Sequence, residues 1–260
     1  MAENTPYAGR FVWYDLMTTD TDASIKFYSA LFGWTTKGEN TGSSGPYTML
    51  QAASKEFGGL MAIDKSRPMP SHWVGYVAVD DIHAVAARVP GAGGRVAHPP
   101  TSIPHVGHFA VIVDPQGATF CLFQGLATDS ADDWKIPSGP GTVVWNELLA
   151  SDPPAAARFY KEICGWDART EEMGSMGTYW IFSRGGKDCA GMMKMPRDAQ
   201  APPSWVLYFE VADVDASAKK TQDLGGKLFV PPTDIPGIGR FSVTADSTGA
   251  TFALLKPVMR

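Results

Sequence analysis

No run of apolar residues in the chain approaches the roughly 20 needed to span a bilayer. The opening segment, Met1 to Arg10, has neither the basic nor the apolar region of an export signal. Lys and Arg are nowhere clustered without interleaved acids, and the formal net charge is -5, so the electrostatic footprint of a nucleic-acid-binding protein is missing. Cysteine is scarce: there are three, an odd number without metal or redox spacing, which points to a reducing compartment. These absences predict a cytoplasmic protein with no nucleic acid and no membrane as partner; it is expected to be a monomer or homodimer, which no sequence feature decides. Phosphate-binding loops, dinucleotide fingerprints, nucleophile elbows and CxxC pairs are also missing, so no cofactor is expected from a motif. What is there is 260 residues, 44% of them hydrophobic, enough for one large domain or two modest ones with real cores.

The chain is one unit written twice. At an offset of 132 residues, FVWYDLMTTD (Phe11 to Asp20) falls on VVWNELLASD, and Lys26 to Trp34 (KFYSALFGW) falls on Arg158 to Trp166 (RFYKEICGW). The same register carries Trp73-Val74-Gly75-Tyr76 onto Trp205-Val206-Leu207-Tyr208 and Pro99 to Phe120 onto Pro231 to Phe252. It also places Cys121, Cys164 and Cys189 opposite Ala253, Phe32 and Phe57, so each cysteine stands in for an apolar packing residue. Two domains are expected, at 8–125 and 140–257, joined by a Gly-, Pro-, Ser- and Asp-rich linker at 126–139.

Within each copy the pattern starts with an alternating, aromatic strand at 11–17. Asp20 then caps a helix that runs to about Leu31, and Gly33 stops it. In the second copy Asp152 precedes Pro153 and Pro154, which suit a first helical turn, and Gly165 is the stop. Short strands are expected near 46–51 and 57–63, with Gly58-Gly59 marking a close backbone approach. From Trp73 the order begins again: strand, an Asp81-capped helix to about Val89, then strands at 107–113 and 118–124 around an Asp114-Pro115-Gln116-Gly117 turn.

Two β-α-β-β-β modules per copy, the SIKFY…GW helix of Ser24 to Trp34, the Val79-Asp80-Asp81-Ile82 junction and the Asp114 to Phe120 hairpin together resemble the vicinal oxygen chelate superfamily. This is the glyoxalase, bleomycin-resistance and extradiol dioxygenase group. The likeness covers nearly the whole chain, twice. It implies an α+β fold of two tandem glyoxalase-like domains, each with two βαβββ modules forming a curved, cup-shaped mixed sheet around a ligand. Catalytic members hold a divalent metal in the cup, and the corresponding positions here carry Trp13, Val74 and Cys121, then Trp145, Val206 and Ala253. Those side chains do not make a set of oxygen and nitrogen donors. No metal is therefore expected in either cup.

The residues offer other chemistry. Asp15 and Glu147 occupy equivalent positions in otherwise apolar strands, on the face shared with Trp13 and Trp145. They read either as rim acids paired to a fixed donor or as ligand acceptors and general bases in an apolar setting. All five histidines lie in the first half; His105 and His108 read as loop residues or as proton donors and anion contacts at the cup mouth, with Arg240 opposite His108 in the other copy. The aromatic set Trp13, Tyr47, Trp73 and Tyr76 repeats as Trp145, Tyr179, Trp205 and Tyr208, suiting either core packing or an apolar pocket with polar tips, to which Met61 and Met193 add adaptable surface. The leading expectation is a protein that binds a small, partly apolar organic molecule in metal-free cups, with lyase or hydroxylase-like catalysis as one outcome. The alternatives are a non-catalytic sequestering or resistance protein and an interaction module whose cups are filled by side chains.

Overall fold

Aspartate starts each helix among the described residues: Asp20, Asp81, Asp152 and Asp213 accept hydrogen bonds from the backbone amides of Ala23, Ala84, Ala155 and Ala216 at 2.9–3.0 Å. Each side chain satisfies a first-turn amide that has no partner inside the helix. Gly33 and Gly165 close the two long helices in the left-handed conformation, at φ 74° and 69°, where a Cβ would be strained. The structure is a computed structural model describing residues 6–40, 46–64, 66, 69–174, 177–196 and 201–258.

The first copy runs β1 (Phe11–Thr18), α1 (Thr21–Phe32), β2 (Thr35–Asn40), β3 (Pro46–Ala52), β4 (Lys55–Ala62), β5 (His72–Ala78), α2 (Ile82–Arg88), β6 (Arg95–Ile103), β7 (Gly107–Val113) and β8 (Thr119–Gly125). The second repeats it as β9 (Val143–Ala150), α3 (Pro153–Cys164), β10 (Asp167–Glu172), β11 (Thr178–Arg184), β12 (Lys187–Lys194), β13 (Ser204–Glu210), α4 (Val214–Asp223), β14 (Lys227–Ile235), β15 (Gly239–Ala245) and β16 (Thr251–Pro257). The fold is α+β, with two βαβββ modules in each copy, as the resemblance implies. Each copy contributes one eight-stranded mixed sheet, in the orders β2-β3-β4-β1-β5-β8-β7-β6 and β10-β11-β12-β9-β13-β16-β15-β14. β1 is parallel to β4, and β5 to β8. No helix among the described residues is long and apolar enough to cross a membrane.

Two strands per copy complete the βαβββ modules that the resemblance implies, at places where no residue pattern marked a strand. β2 and β10 are polar, and β6 and β14 contain Pro-Pro pairs. All four are sheet edges, where a strand needs no inward apolar face and tolerates a residue that donates no hydrogen bond.

Packing divides the chain into two compact units, each drawn from both copies. One comprises the N-terminal stretch to Trp13, Gly75–Lys135 and Asn146–Trp205; the other comprises Tyr14–Val74, Ile136–Trp145 and the chain from Val206 onward. In the first, α3 buries Ala156, Phe159, Tyr160, Ile163 and Cys164, a stripe at helical spacing. The Tyr160 ring lies 5.3–5.7 Å from the rings of Phe120, Trp166, Phe182 and Trp205. Its hydroxyl accepts from Trp205 Nε1 at 3.0 Å and donates to Asp114 Oδ2 at 3.1 Å. Asp114 Oδ1 in turn accepts the amides of Gln116 and Ala118, fixing the turn before β8. Burial raises the pKa of Asp114 above its ordinary value and that of Tyr160 far above its own, the latter helped by the Asp114 charge. Both therefore hold their protons more tightly than in water.

The other unit repeats the device. The Tyr28 ring contacts Trp34, Trp73 and Phe252 at 5.0–5.7 Å, and Trp73 Nε1 donates to the Tyr28 hydroxyl at 2.9 Å. The two helix-following tryptophans are pinned alike: Trp34 Nε1 donates to Gly141 O at 2.7 Å and Trp166 Nε1 to Gly9 O at 2.8 Å. The stretch read as a linker is itself folded in part. Asp129 Oδ2 accepts from Trp134 Nε1 and from the Leu126 amide, and the Trp134 ring packs 4.4 Å from Phe123.

Tyr160→Phe should cost about 2 kcal/mol, because it removes one hydroxyl and strands an indole N–H and a carboxylate oxygen in the core. For a domain of this size that corresponds to a melting temperature roughly 4–8 °C lower, readable by scanning calorimetry. An unchanged melting temperature would mean the link contributes nothing.

Cys121 and Cys164 are buried and Cys189 is half-buried, and all three are free thiols. Burial, then the charge of Asp188, pushes the Cys189 thiol up to about 12, and burial raises Cys164 further still. Thiol titration of the native protein at pH 8 should be slow, and complete only after denaturation. Because the folded pKa values lie above the unfolded ones, this stabilisation is full below about pH 8.5 and is lost as pH rises through the folded values.

Candidate functional site

Parallel pairing of β1 with β4 sets Asp15 opposite Gly59, and pairing of β9 with β12 sets Glu147 opposite Gly191. The neighbouring antiparallel strand then supplies a tyrosine. Tyr47 of β3 donates its hydroxyl to Asp15 Oδ1 at 2.6 Å, and Tyr179 of β11 donates to Glu147 Oε2 at 2.8 Å. Both acidic residues are buried, at 5% and 6% exposure. The glycines make this possible. A Cβ on Gly59 would occupy the space of the Tyr47 hydroxyl, and one on Gly58 would run into the Tyr14 carbonyl, so this stretch of β4 admits no larger side chain without rearrangement.

A phenol donating to a buried carboxylate is a short, charge-assisted arrangement. It fixes the acid's orientation and links two proton-carrying groups in one chain. Chemically it can accept a hydrogen bond from a ligand hydroxyl or take a proton from an acidic O–H or C–H.

The other proposed site residues fall into two groups. Trp13 and Trp145 are half-buried on the strand face of Asp15 and Glu147. Met61 is half-buried opposite Met17, and Met193 opposite Tyr179. Tyr76 lies 6.5 Å from Phe109, and Tyr208 lies 6.4 Å from Phe241.

Four placements bear on the alternatives that the sequence left open. Trp73 and Trp205 are core residues, bonded to Tyr28 and Tyr160. Strand alternation explains it, because residues three apart on one strand point to opposite faces, so Trp73 and Tyr76 cannot line the same pocket. His108 faces His83 of α2, with ring centres 6.1 Å apart, rather than the face of Phe109. Arg240 is not available as an anion contact: Asp215 of α4 holds its guanidinium in two bonds of 2.7 and 2.9 Å, and Asp234 accepts a third at 2.9 Å. Those carboxylates, Asp215 first, raise its pKa, while the pairing lowers that of Asp215. His105 is exposed in the β6–β7 turn at φ 62°, where the second copy has Gly237 at φ 76°. Histidine is among the side chains that tolerate this region best.

The Tyr–carboxylate pairing itself was missed in the sequence, although Tyr47 and Asp15 each recur at the 132-residue offset. His83 was missed as well. Its repeat partner is Asp215 and that of His108 is Arg240, a paired replacement readable from the alignment.

A metal does not fit the positions the fold family uses. Trp13, Val74 and Cys121 offer one thiol, Trp145, Val206 and Ala253 offer no donor, and among the described residues no group of three or more His, Cys, Asp or Glu side chains could hold an ion.

Gly59→Ala should displace the Tyr47 hydroxyl from Asp15 and destabilise the protein by about 1–3 kcal/mol through overpacking. Gly38→Ala, whose Cβ meets nothing within 4 Å, should stay within about 0.5 kcal/mol of wild type. Thermal melts of the two variants decide whether the close approach is real.

With this geometry in place, comparison with known proteins is direct. The family model described as "Glyoxalase/Bleomycin resistance protein/Dioxygenase superfamily" matches residues 10–122 and again 142–254. A protein of Mycobacterium tuberculosis provisionally named glyoxylase CFP32 is 36% identical over 94% of both chains. The anthracycline biosynthesis protein DnrV of Streptomyces peucetius is 30% identical over 95% of this chain and 93% of its own. Among solved structures, the Mn(II)-bound glyoxalase from Novosphingobium aromaticivorans superposes with a TM-score of 0.66 at 17% identity, covering 97% of this chain and 83% of that one. The chain belongs to the glyoxalase/bleomycin resistance protein/dioxygenase superfamily, with its domain present in two tandem copies.

Proposed function

We propose that the chain binds a small, partly apolar organic molecule bearing hydroxyl or carbonyl groups beside the Tyr47–Asp15 and Tyr179–Glu147 pairs, without a metal at the positions the superfamily uses. The observation that carries this reading is that a buried acid, a phenol donating to it and a glycine opposite it recur at equivalent places in both copies. Burying a carboxylate costs free energy unless it is paired, and a sequence that needed only stable strands would put apolar residues there. Met61 and Met193 supply apolar contact and the acids supply orientation, the usual make-up of a small-molecule site. Similarity to a protein named for anthracycline biosynthesis favours a hydroxylated, fused-ring ligand.

If the bound molecule also turns over, the carboxylate acts as base toward an acidic proton and the tyrosine steadies the charge that moves. A non-catalytic sequestering protein would use the same contacts without turnover, and time courses of ligand absorbance separate the two.

Asp15→Asn and Glu147→Gln keep size while removing charge. Titration with a hydroxyanthraquinone, followed by tryptophan fluorescence, should show affinity roughly tenfold or more weaker in the double variant. The melting temperature should stay near wild type or rise, and a chelator should leave wild-type binding unchanged. Binding as tight as wild type by the double variant would refute the proposal. Loss of stability with binding intact would assign the acids to folding alone.

A further inference from the structure

At one place the two copies solve the same structural problem with different chemistry. In the second copy the first turn of α4 is tied to the sheet by Asp215, which grips Arg240 of β15, while Asp234 of β14 takes the remaining side of the guanidinium. The 132-residue offset puts His83 on Asp215, His108 on Arg240 and Ser102 on Asp234. Ser102 and His108 are partners across β6 and β7, as Asp234 and Arg240 are across β14 and β15. An ion pair has thus been replaced by two imidazoles, which cannot form one with each other.

The ring centres of His83 and His108 are 6.1 Å apart at an interplanar angle of 64°. That is too far for a direct bond between ring nitrogens. Two imidazoles held on one ion by metal–nitrogen bonds of about 2.0–2.1 Å lie about 5 Å apart between ring centres at the tetrahedral angle, so the rings would have to close by about 1 Å, a shift open to the exposed His83 side chain. His83 is exposed and His108 half-buried, so water can complete the coordination. The nearby His98 is engaged elsewhere, stacked 5.2 Å from Phe109 with Nε2 3.0 Å from the Thr101 hydroxyl.

We propose that His83 and His108 form a site for one borderline divalent cation, Zn2+ or Cu2+, which ties the first turn of α2 to β7 as the Asp215–Arg240 pair ties α4 to β15. The site is on the helix side of the sheet and is independent of the Tyr–carboxylate pairs. Two neutral imidazoles suit these ions, with Cu2+ held more tightly than Zn2+.

The test is isothermal titration of the untagged full chain with ZnCl2 at pH 7.5. One ion per chain is expected, with a dissociation constant on the order of ten micromolar. In His83→Ala, and separately in His108→Ala, affinity should fall at least about tenfold. His98→Ala and His105→Ala should bind as wild type does. The double variant His83→Asp/His108→Arg rebuilds the ion pair of the second copy; it should melt no lower than metal-free wild type and should not bind Zn2+. Failure of the wild-type chain to bind Zn2+ at about tenfold above that concentration, or retention of binding by the double variant, overturns the proposal.

Discussion

The structure depends on a buried tyrosine hydroxyl with a partner of each kind. Tyr160 accepts from the indole of Trp205 and donates to Asp114, and through Asp114 it reaches the amides of the turn that launches β8. One hydroxyl thereby connects a helix, the strand Trp205 sits on and a hairpin turn. Tyr28 and Trp73 repeat the first half of that chain in the other unit. An unpaired polar group in such a core would cost about 1–3 kcal/mol, so the geometry of helix against sheet is held to those few ångströms. Aromatic contacts around each tyrosine add area and orientation, but only the hydroxyl specifies where each element stops sliding.

This has a consequence for chemistry. Each unit draws its strands and helices from both copies of the repeat, so the copies are interdependent despite being separable in sequence. Trp73 and Trp205 are committed to the tyrosines of α1 and α3, while Asp15 and Glu147 are bonded to Tyr47 and Tyr179. Gly59 then lets the Tyr47 hydroxyl lie against the backbone of β4 and reach the acid. Close approach here is bought with a side chain's absence, and the two acids differ by one methylene, which gives the pairs different reach.

Much of the fold was legible because its signals are local. Asp20 and Asp152 cap as their positions imply, Gly33 and Gly165 stop helices, and the turn at Asp114 forms with the Gly117 amide bonded to the Asp114 carbonyl at 3.1 Å. The edge strands β2 and β6 were illegible because an edge is solvated on one side and tolerates polar residues and prolines alike. The site was partly legible. Acids inside apolar strands stood out at Asp15 and Glu147, yet their bonds to Tyr47 and Tyr179 depend on which strand pairs with which, a long-range fact absent from local pattern. For Trp73 the sequence left core and pocket open, and its parity relative to Tyr76 already places the two on opposite faces. Arg240 and His108 carry side chains typical of binding residues, but their partners, Asp215 and His83, come from a helix more than twenty residues away.

The central claim is that the Tyr–carboxylate pairs are where a ligand is held. A crystal structure of the protein soaked with a hydroxyanthraquinone tests it most directly. The account predicts a ligand oxygen within hydrogen-bond distance of the carboxylate of Asp15 or Glu147, with the adjacent tyrosine still bonded to the acid. Ligand bound only elsewhere, for instance in the groove formed by Leu31, Pro140 and Lys220, with both pairs undisturbed, would contradict it.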